Sequence, residues 1–194
     1  YLRAMLPRPL FIGSDIYRGS SYGPWHPLRV PRVSTVIDLS RAMGWLPRDA
    51  YVPSPRAKPD TLKIWHTADY ISALHAAEAA QETIRERQPQ QVAGGFCYLN
   101  DPVLAILSRR RNAARRVAYV DIDAHHPDGV ELAFGDDPDV LMISVHEDGL
   151  WPRTGPLGAT ETLMNLPVPR GLNDDEMALI RDEVVLPRVA GFKP

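Results

Sequence analysis

The sequence predicts an α/β fold built on a mainly parallel sheet, and three observations carry that prediction. Two apolar, β-branched runs, Val117 to Ile122 and Val140 to Val145, have the near-continuous hydrophobicity of strands buried on both faces of a parallel sheet. Helical segments alternate with them in the order that parallel crossovers require. With 194 residues, 44% hydrophobic and 24% charged, the chain has material for one core of ordinary size, whether a whole domain or part of a larger one.

From the N-terminus, Pro31 to Met43 sets Val33, Val36, Ile37, Leu39 and Met43 on a helical stripe that stops at Gly44. Trp45 to Lys63 holds four prolines and no clean period, so it reads as loop with one short strand near Leu62 to Trp65. Thr67 to Arg87 is rich in alanine and glutamate, with Tyr70, Ile71, Leu74 and Ala77 at helical spacing, and Gln88 to Gly95 breaks it. Asn100 and Asp101 cap a helix whose first residue is Pro102. It runs through Val103, Leu104, Ile106 and Leu107 to the basic stretch Arg109 to Arg111, which suits a helix C-terminus. A capping box of Asn173 with Glu176 opens a last helix through about Leu186, before Pro187.

Composition excludes several function classes. Lys and Arg number 22 against 24 Asp and Glu, a net charge of -2, so no basic excess exists to bind a phosphate backbone and nucleic acid is not expected as a direct ligand. No apolar run approaches the roughly 18 residues that span a bilayer, which predicts a soluble protein without membrane contact. Cys97 is the only cysteine, so an intrachain disulfide and a cysteine-rich zinc cluster are both ruled out; a cytoplasmic setting is expected. Tyr1 to Leu10 lacks the sustained apolar core of a signal peptide. Proline, 19 of 194, stands at about twice its average share of roughly 5% and predicts long irregular loops.

The chemistry concentrates in Tyr119 to Glu131. Asp121, Asp123 and His125 alternate at the end of a buried strand, so an extended backbone turns all three to one face. Open α/β folds bind ligands at the C-terminal edge of the sheet, where an unpaired carboxylate cluster is costly without a cation. One carboxylate and one imidazole, with a further carboxylate from elsewhere, make an open Zn2+ site that keeps a position for water. Asp128 is then available as an outer hydrogen-bond partner. The competing reading is that Asp121 and Asp123 cap the following turn and the histidines lie on the surface.

The chain contains Gly95-Phe-Cys-Tyr-Leu-Asn-Asp101, Asp121-Ile-Asp-Ala-His-His-Pro-Asp-Gly-Val-Glu131, Ser144-Val-His146, Trp151-Pro-Arg-Thr-Gly155, His26-Pro27 through Arg32, and His66-Thr-Ala-Asp-Tyr70. Together these motifs resemble the zinc-dependent deacetylases that include histone deacetylases and bacterial acetoin-utilisation proteins. Asn165-Leu-Pro-Val-Pro169 and the helix after it look closer to bacterial or class II-like members. The resemblance implies a three-layer α/β/α, arginase/deacetylase-like fold. It also implies that Asp123 and His125 are two of three zinc ligands and that Asp121 and Asp128 orient a tandem histidine pair. The backbone around Asp121, Asp123 and His125, with Ser144 and Val145, would hold a structural monovalent cation, usually K+. Phe96 and Trp151, with Gly95, would line an acyl-lysine tunnel, and Arg32 would stand near an acetate exit. The implied reaction is hydrolysis of an acyl amide, in acetylated lysine or a small acylated amine, to amine and acetate: zinc polarises the carbonyl, a histidine takes a proton from water, and a tyrosine stabilises the oxyanion.

The sequence departs from the family pattern in two places. Where the family has a Gly-Gly-x-His-His segment, this chain reads Gln90-Gln-Val-Ala-Gly-Gly-Phe96. The expectation is therefore a single deacetylase-like domain over residues 1–194 that lacks an internal block near 80–95 and a C-terminal part, and with them the histidine dyad, third ligand and tyrosine. Two alternatives stand beside it: a truncated or non-catalytic relative that binds metal or acyl-lysine without turnover, and a binuclear Mn2+ ureohydrolase. The second rests on Asp123-Ala-His125, but the next aspartate, Asp128, falls one position too late for the ureohydrolase spacing. Oligomeric state has no signature in the sequence.

Overall fold

The computed structural model describes residues 9–19, 31–80, 97–112 and 114–194. They belong to two compact units, Tyr1–Ala57 and Lys58–Pro194. Among the described residues no helix is long and apolar enough to cross a membrane.

In the first unit, β1 (Phe11–Gly13) and β2 (Tyr51–Pro53) pair in parallel, with Phe11 opposite Tyr51 and their rings stacked 6.0 Å apart. The predicted helix forms as α1 (Arg32–Ala42), and Gly44 follows it in the left-handed region that such ends favour, at φ 74°. Its stripe is mostly not a core face. Ile37 alone is buried, against Leu46, Ala50 and Tyr51, while Val33, Val36, Leu39 and Met43 stay exposed. The proline-rich stretch read as loop contains β2 and, before it, a 3-10 turn over Arg48–Ala50. Pro47, extended at the turn's N-cap, accepts there from the Ala50 N–H.

The second unit carries α2 (Pro59–Leu62), α3 (Ala68–Ala80), α4 (Asp101–Arg111), β3 (Val117–Asp121), α5 (Asp128–Phe134), β4 (Val140–Glu147), β5 (Gly158–Ala159), β6 (Leu163–Val168), α6 (Asp174–Ile180) and α7 (Leu186–Phe192). The strand expected near Leu62 to Trp65 is instead helical turn. Pro59 stands at a helix N-terminus, where its missing N–H costs nothing, and the Leu62 carbonyl accepts from both Trp65 and His66. The expected Thr67–Arg87 helix is present through Ala80, and residues 81–87 lie outside the described residues. Asn100 caps α4 by accepting the Val103 N–H at 3.2 Å. At the other end of that helix Arg110 forms ion pairs with Asp137 and Asp139, so the basic stretch ties α4 to the turn before β4.

The sheet order is β3-β4-β6-β5, with the first three strands parallel and β5 antiparallel to β6. Alternation along β4 divides the core into two layers. Val140 and Met142 pack with Val103 and Ile106 of α4 and with Val130 and Phe134 of α5, whereas Leu141, Ile143 and Val145 pack with Val185 and Phe192 on the opposite face. The result is the expected three-layer α/β/α arrangement. β4 is buried from Val140 to His146, but β3 is not buried on both faces as predicted: among the described residues it pairs with one strand, and Val120 is 38% exposed. β6 was not anticipated because Pro167 breaks its pattern. The strand tolerates proline because β5 covers β6 only at Met164 and Asn165.

The final helix also outruns its prediction. The Asn173 and Glu176 capping box is present, but helical backbone passes Pro187 and ends at Phe192. A π-turn over Arg181–Val185, in which the Leu186 N–H reaches the Arg181 carbonyl five residues back, absorbs the disruption.

His66, at the start of the α3 segment, is 2% exposed, and its Nε2 accepts the Asn100 N–H at 3.2 Å. That nitrogen must stay bare, and burial lowers the imidazole pKa below its ordinary 6.5 against an opposing pull from Asp101. The unfolded chain therefore binds a proton near pH 6.5 that the folded chain refuses, and stability falls as pH drops through that range. Urea unfolding between pH 7.5 and 5 should show this loss, and His66→Gln should flatten the slope. Buried His146, shifted in the same direction, should leave a residual slope, and identical slopes in the two proteins would contradict the assignment.

Candidate functional site

The site grows out of one row of the sheet. Pairing aligns Tyr119 with Met142 and Met142 with Leu163, then two residues later Asp121 with Ser144 and Ser144 with Asn165. Partners in a parallel ladder share a face, so the layer beneath α5 changes from apolar to polar within one step toward the C-terminal strand ends. The change occurs where the strands have nearly run out and an α/β sheet opens to ligands.

β3 ends at Asp121, so the pleat does not carry the alternation on to His125 as predicted. Successive turns do so instead. Asp121 Oδ1 accepts the Asp123 N–H at 2.9 Å, and Asp123 Oδ1 accepts the His125 N–H at 2.8 Å. The second Asp121 oxygen takes the Tyr119 hydroxyl, whose pKa burial and that carboxylate push well above the usual phenol range. As the competing reading expected, the aspartates cap turns and His125 is exposed; His125 Nδ1 lies 2.8 Å from Asp123 Oδ1. Zinc bonds of about 2.0–2.2 Å separate tetrahedral ligand atoms by roughly 3.3 Å, so a small opening of this pair would seat an ion. These two donors fit a metal. Among the described residues no cluster of three His, Cys, Asp or Glu side chains forms, so they present two donors rather than a closed site.

Other expected residues are placed as follows. Asp128 is the first residue of α5; its carboxylate accepts the Gly129 N–H at 2.7 Å. Trp151 is 47% exposed, and its ring and that of His125 lie in a T-shaped arrangement with centroids 6.2 Å apart. Ser144 is fully buried and Val145 nearly so. Ser144 Oγ bonds His146 Nδ1 at 2.8 Å, and because His146 Nε2 must donate to the Gly155 carbonyl, the serine donates its proton and keeps its lone pairs free. A hydroxyl oxygen in that state suits a hard cation. Arg32 is exposed at the start of α1, in the other unit. Gly95 and Phe96 lie outside the described residues.

The sequence reading missed a buried polar network behind the loop. His126, 5% exposed, meets Thr154 Oγ1 at 2.8 Å through Nδ1, and Glu131 Oε2 at 2.9 Å and Asn165 Oδ1 at 3.2 Å through Nε2. Asn165 Nδ2 donates to the same Glu131 oxygen at 2.7 Å. The His146 ring lies 4.8 Å from that of His126. Two signals pointed to it: Ser144 and His146 continue the Val140, Met142 side of a buried strand, and Glu131 stands beside buried Val130 one turn before Phe134.

The family model described as the histone deacetylase domain matches residues 88–194. The chain belongs to the histone deacetylase family. It is 36% identical to a probable deacetylase of Archaeoglobus fulgidus over 230 residues, covering 92% of this chain and 64% of that protein. It is 39% identical to the histone deacetylase HOS1 of Saccharomyces cerevisiae over 110 residues, which cover 54% of this chain and 23% of HOS1. The crystal structure of a histone deacetylase homologue complexed with SAHA superposes with a TM-score of 0.78 at 28% identity, over 95% of this chain and 65% of that one. This chain therefore spans from about a quarter to just under two thirds of these histone deacetylase relatives, and the neighbour fixes the fold as the arginase/deacetylase type.

Gly155 links the network to the backbone. It sits at φ 73°, and a Cβ there would fall inside the His126 ring. Gly171 has φ 94° with open space around it. Gly171→Ala should cost about 1–2 kcal/mol of backbone strain alone, and Gly155→Ala clearly more because the ring must also move. Equal losses in denaturant titrations would show that the contact with His126 carries no energy.

Proposed function

We propose that the site at the ends of β3 and β4 is that of a zinc-dependent acyl-amide hydrolase, with Asp123 and His125 as two of its metal donors. The observation that carries the reading is the approach of His125 Nδ1 to Asp123 Oδ1 beside the half-exposed Trp151 ring. When bound, zinc would supply carbonyl polarisation and acidified water. The chain's own residues do the rest. Trp151, exposed beside His125, offers an aromatic wall for an acyl-lysine stem or small acylated amine. Asp121 and Asp128 hold the loop's hydrogen bonds on either side of the donors. Ser144 Oγ and the backbone at Val145, Asp121, Asp123 and His125 form the monovalent-cation site, K+ by its oxygen donors.

Support comes from family membership, from relatives named as deacetylases, and from a structural neighbour that binds SAHA. The alignment with the Archaeoglobus protein, at 230 residues, is longer than this chain, so that relative has positions without counterparts here. This agrees with one deacetylase-like domain that lacks an internal block. Cytoplasmic location and independence from nucleic acid belong to the same proposal, on the single cysteine and the balanced charge.

One observation favours a second reading, metal or acyl binding without turnover. Among the described histidines, His66, His126 and His146 are committed to buried bonds, His125 faces the metal position, and His75 is exposed on α3. None is poised beside the donors as a base. Zinc at full occupancy with no hydrolysis of an acetyl-lysine reporter selects the second reading, and hydrolysis selects the first. For either, Asp123→Ala or His125→Ala should abolish zinc uptake in equilibrium dialysis, and unchanged metal content in both variants would overturn the donor assignment.

A further inference from the structure

We propose that His126, bonded to Thr154 on one side and to Glu131 on the other, is the positioning residue that holds the His125 and Trp151 loops in a single arrangement. The inference rests on the reading of Asp123 and His125 as metal donors.

The bonding occupies both nitrogens of the ring. A carboxylate only accepts, so the Glu131 contact puts a proton on Nε2, and Nδ1 pairs with the Thr154 hydroxyl, which can donate or accept. Both nitrogens are then used within the protein, and the side chain is 2% exposed. His126 has no nitrogen left for a metal or for a water proton, and its contribution is to geometry.

That geometry joins two otherwise separate segments. His126 follows His125 directly, so its ring anchors the donor loop against α5 and β6 through Glu131 and Asn165. Thr154 and Gly155 follow Trp151, and both are held to the same place: Thr154 by the His126 ring, Gly155 by its close approach to that ring and by His146 Nε2 at 2.9 Å from its carbonyl. A further tie, from the Glu147 N–H to the Ala124 carbonyl at 3.0 Å, holds the donor loop to the end of β4. The exposed pair, His125 and Trp151, thus stands on loops joined by the His126–Thr154 bond, one residue from His125 and three from Trp151, with the His126 ring itself buried. Loss of the anchor frees the two loops to move apart.

Thr154→Val removes the hydroxyl that bonds Nδ1, and Thr154→Ser restores it; neither touches a metal donor. Amide hydrogen exchange of residues 122–127 and 151–155 would be followed in the metal-free protein, together with the Zn2+ dissociation constant by chelator competition and the melting temperature. Thr154→Val should accelerate exchange in both segments together, several-fold to about tenfold for one lost hydrogen bond. Zinc binding should weaken by about tenfold, in the range that supporting partners contribute. Thr154→Ser should recover both. Faster exchange confined to 151–155 with unchanged zinc affinity, even alongside a lower melting temperature, would overturn the proposal and leave the bond a local structural one. If the unaltered protein takes up no zinc, the donor reading fails by itself. Exchange then decides: coupled loosening supports the positioning role, and an unchanged 122–127 segment overturns it.

Discussion

Complete burial of β4 is the constraint on which the rest of the second unit depends. A strand enclosed from Val140 to His146 must satisfy every polar group it carries from within the protein. Its two polar side chains, Ser144 and His146, lie at the end of the face that packs beneath α5. They bond each other, and His146 then reaches the Gly155 carbonyl. The neighbouring strands meet the same demand with Asp121 and Asn165 in register, and α5 meets it with Glu131. A polar layer therefore forms where the strands end, and the loops that leave them are held to it.

The layering explains how the exposed residues proposed as donors can be well placed. Asp123 and His125 are themselves open to solvent, as the proposed site, which must admit water, requires. Rigidity has to come from behind them, where a fully bonded network is worth more per bond than the same groups in water. Trp151, at the mouth, gains its place from the same buried groups through Thr154 and Gly155.

Much of this was legible in the sequence, for identifiable reasons. β4 announces itself because burial on both faces leaves a continuous apolar run, and the Asn100 and Asn173 caps because short polar side chains at helix starts are local signals. β6 was hidden by Pro167, which is tolerated only because β5 is too short to pair there. The passage of the last helix beyond Pro187 depends on a π-turn that no propensity scale encodes. The approach of Asp121, Asp123 and His125 to one another was readable from their alternation, although turns rather than the pleat bring them together. The network around His126 was not, because His126, Glu131, Thr154 and Asn165 are scattered along the sequence and meet only through strand register and the left-handed turn at Gly155.

One imidazole and one carboxylate of the loop after β3 are proposed as this chain's share of a zinc site. An X-ray absorption spectrum of the protein with one equivalent of Zn2+ would decide it. Nitrogen and oxygen neighbours are expected at about 2.0–2.2 Å with the outer scattering of a single imidazole, and no sulfur near 2.3 Å. A sulfur shell, which would place the metal on Cys97, or an all-oxygen shell without imidazole, would contradict it.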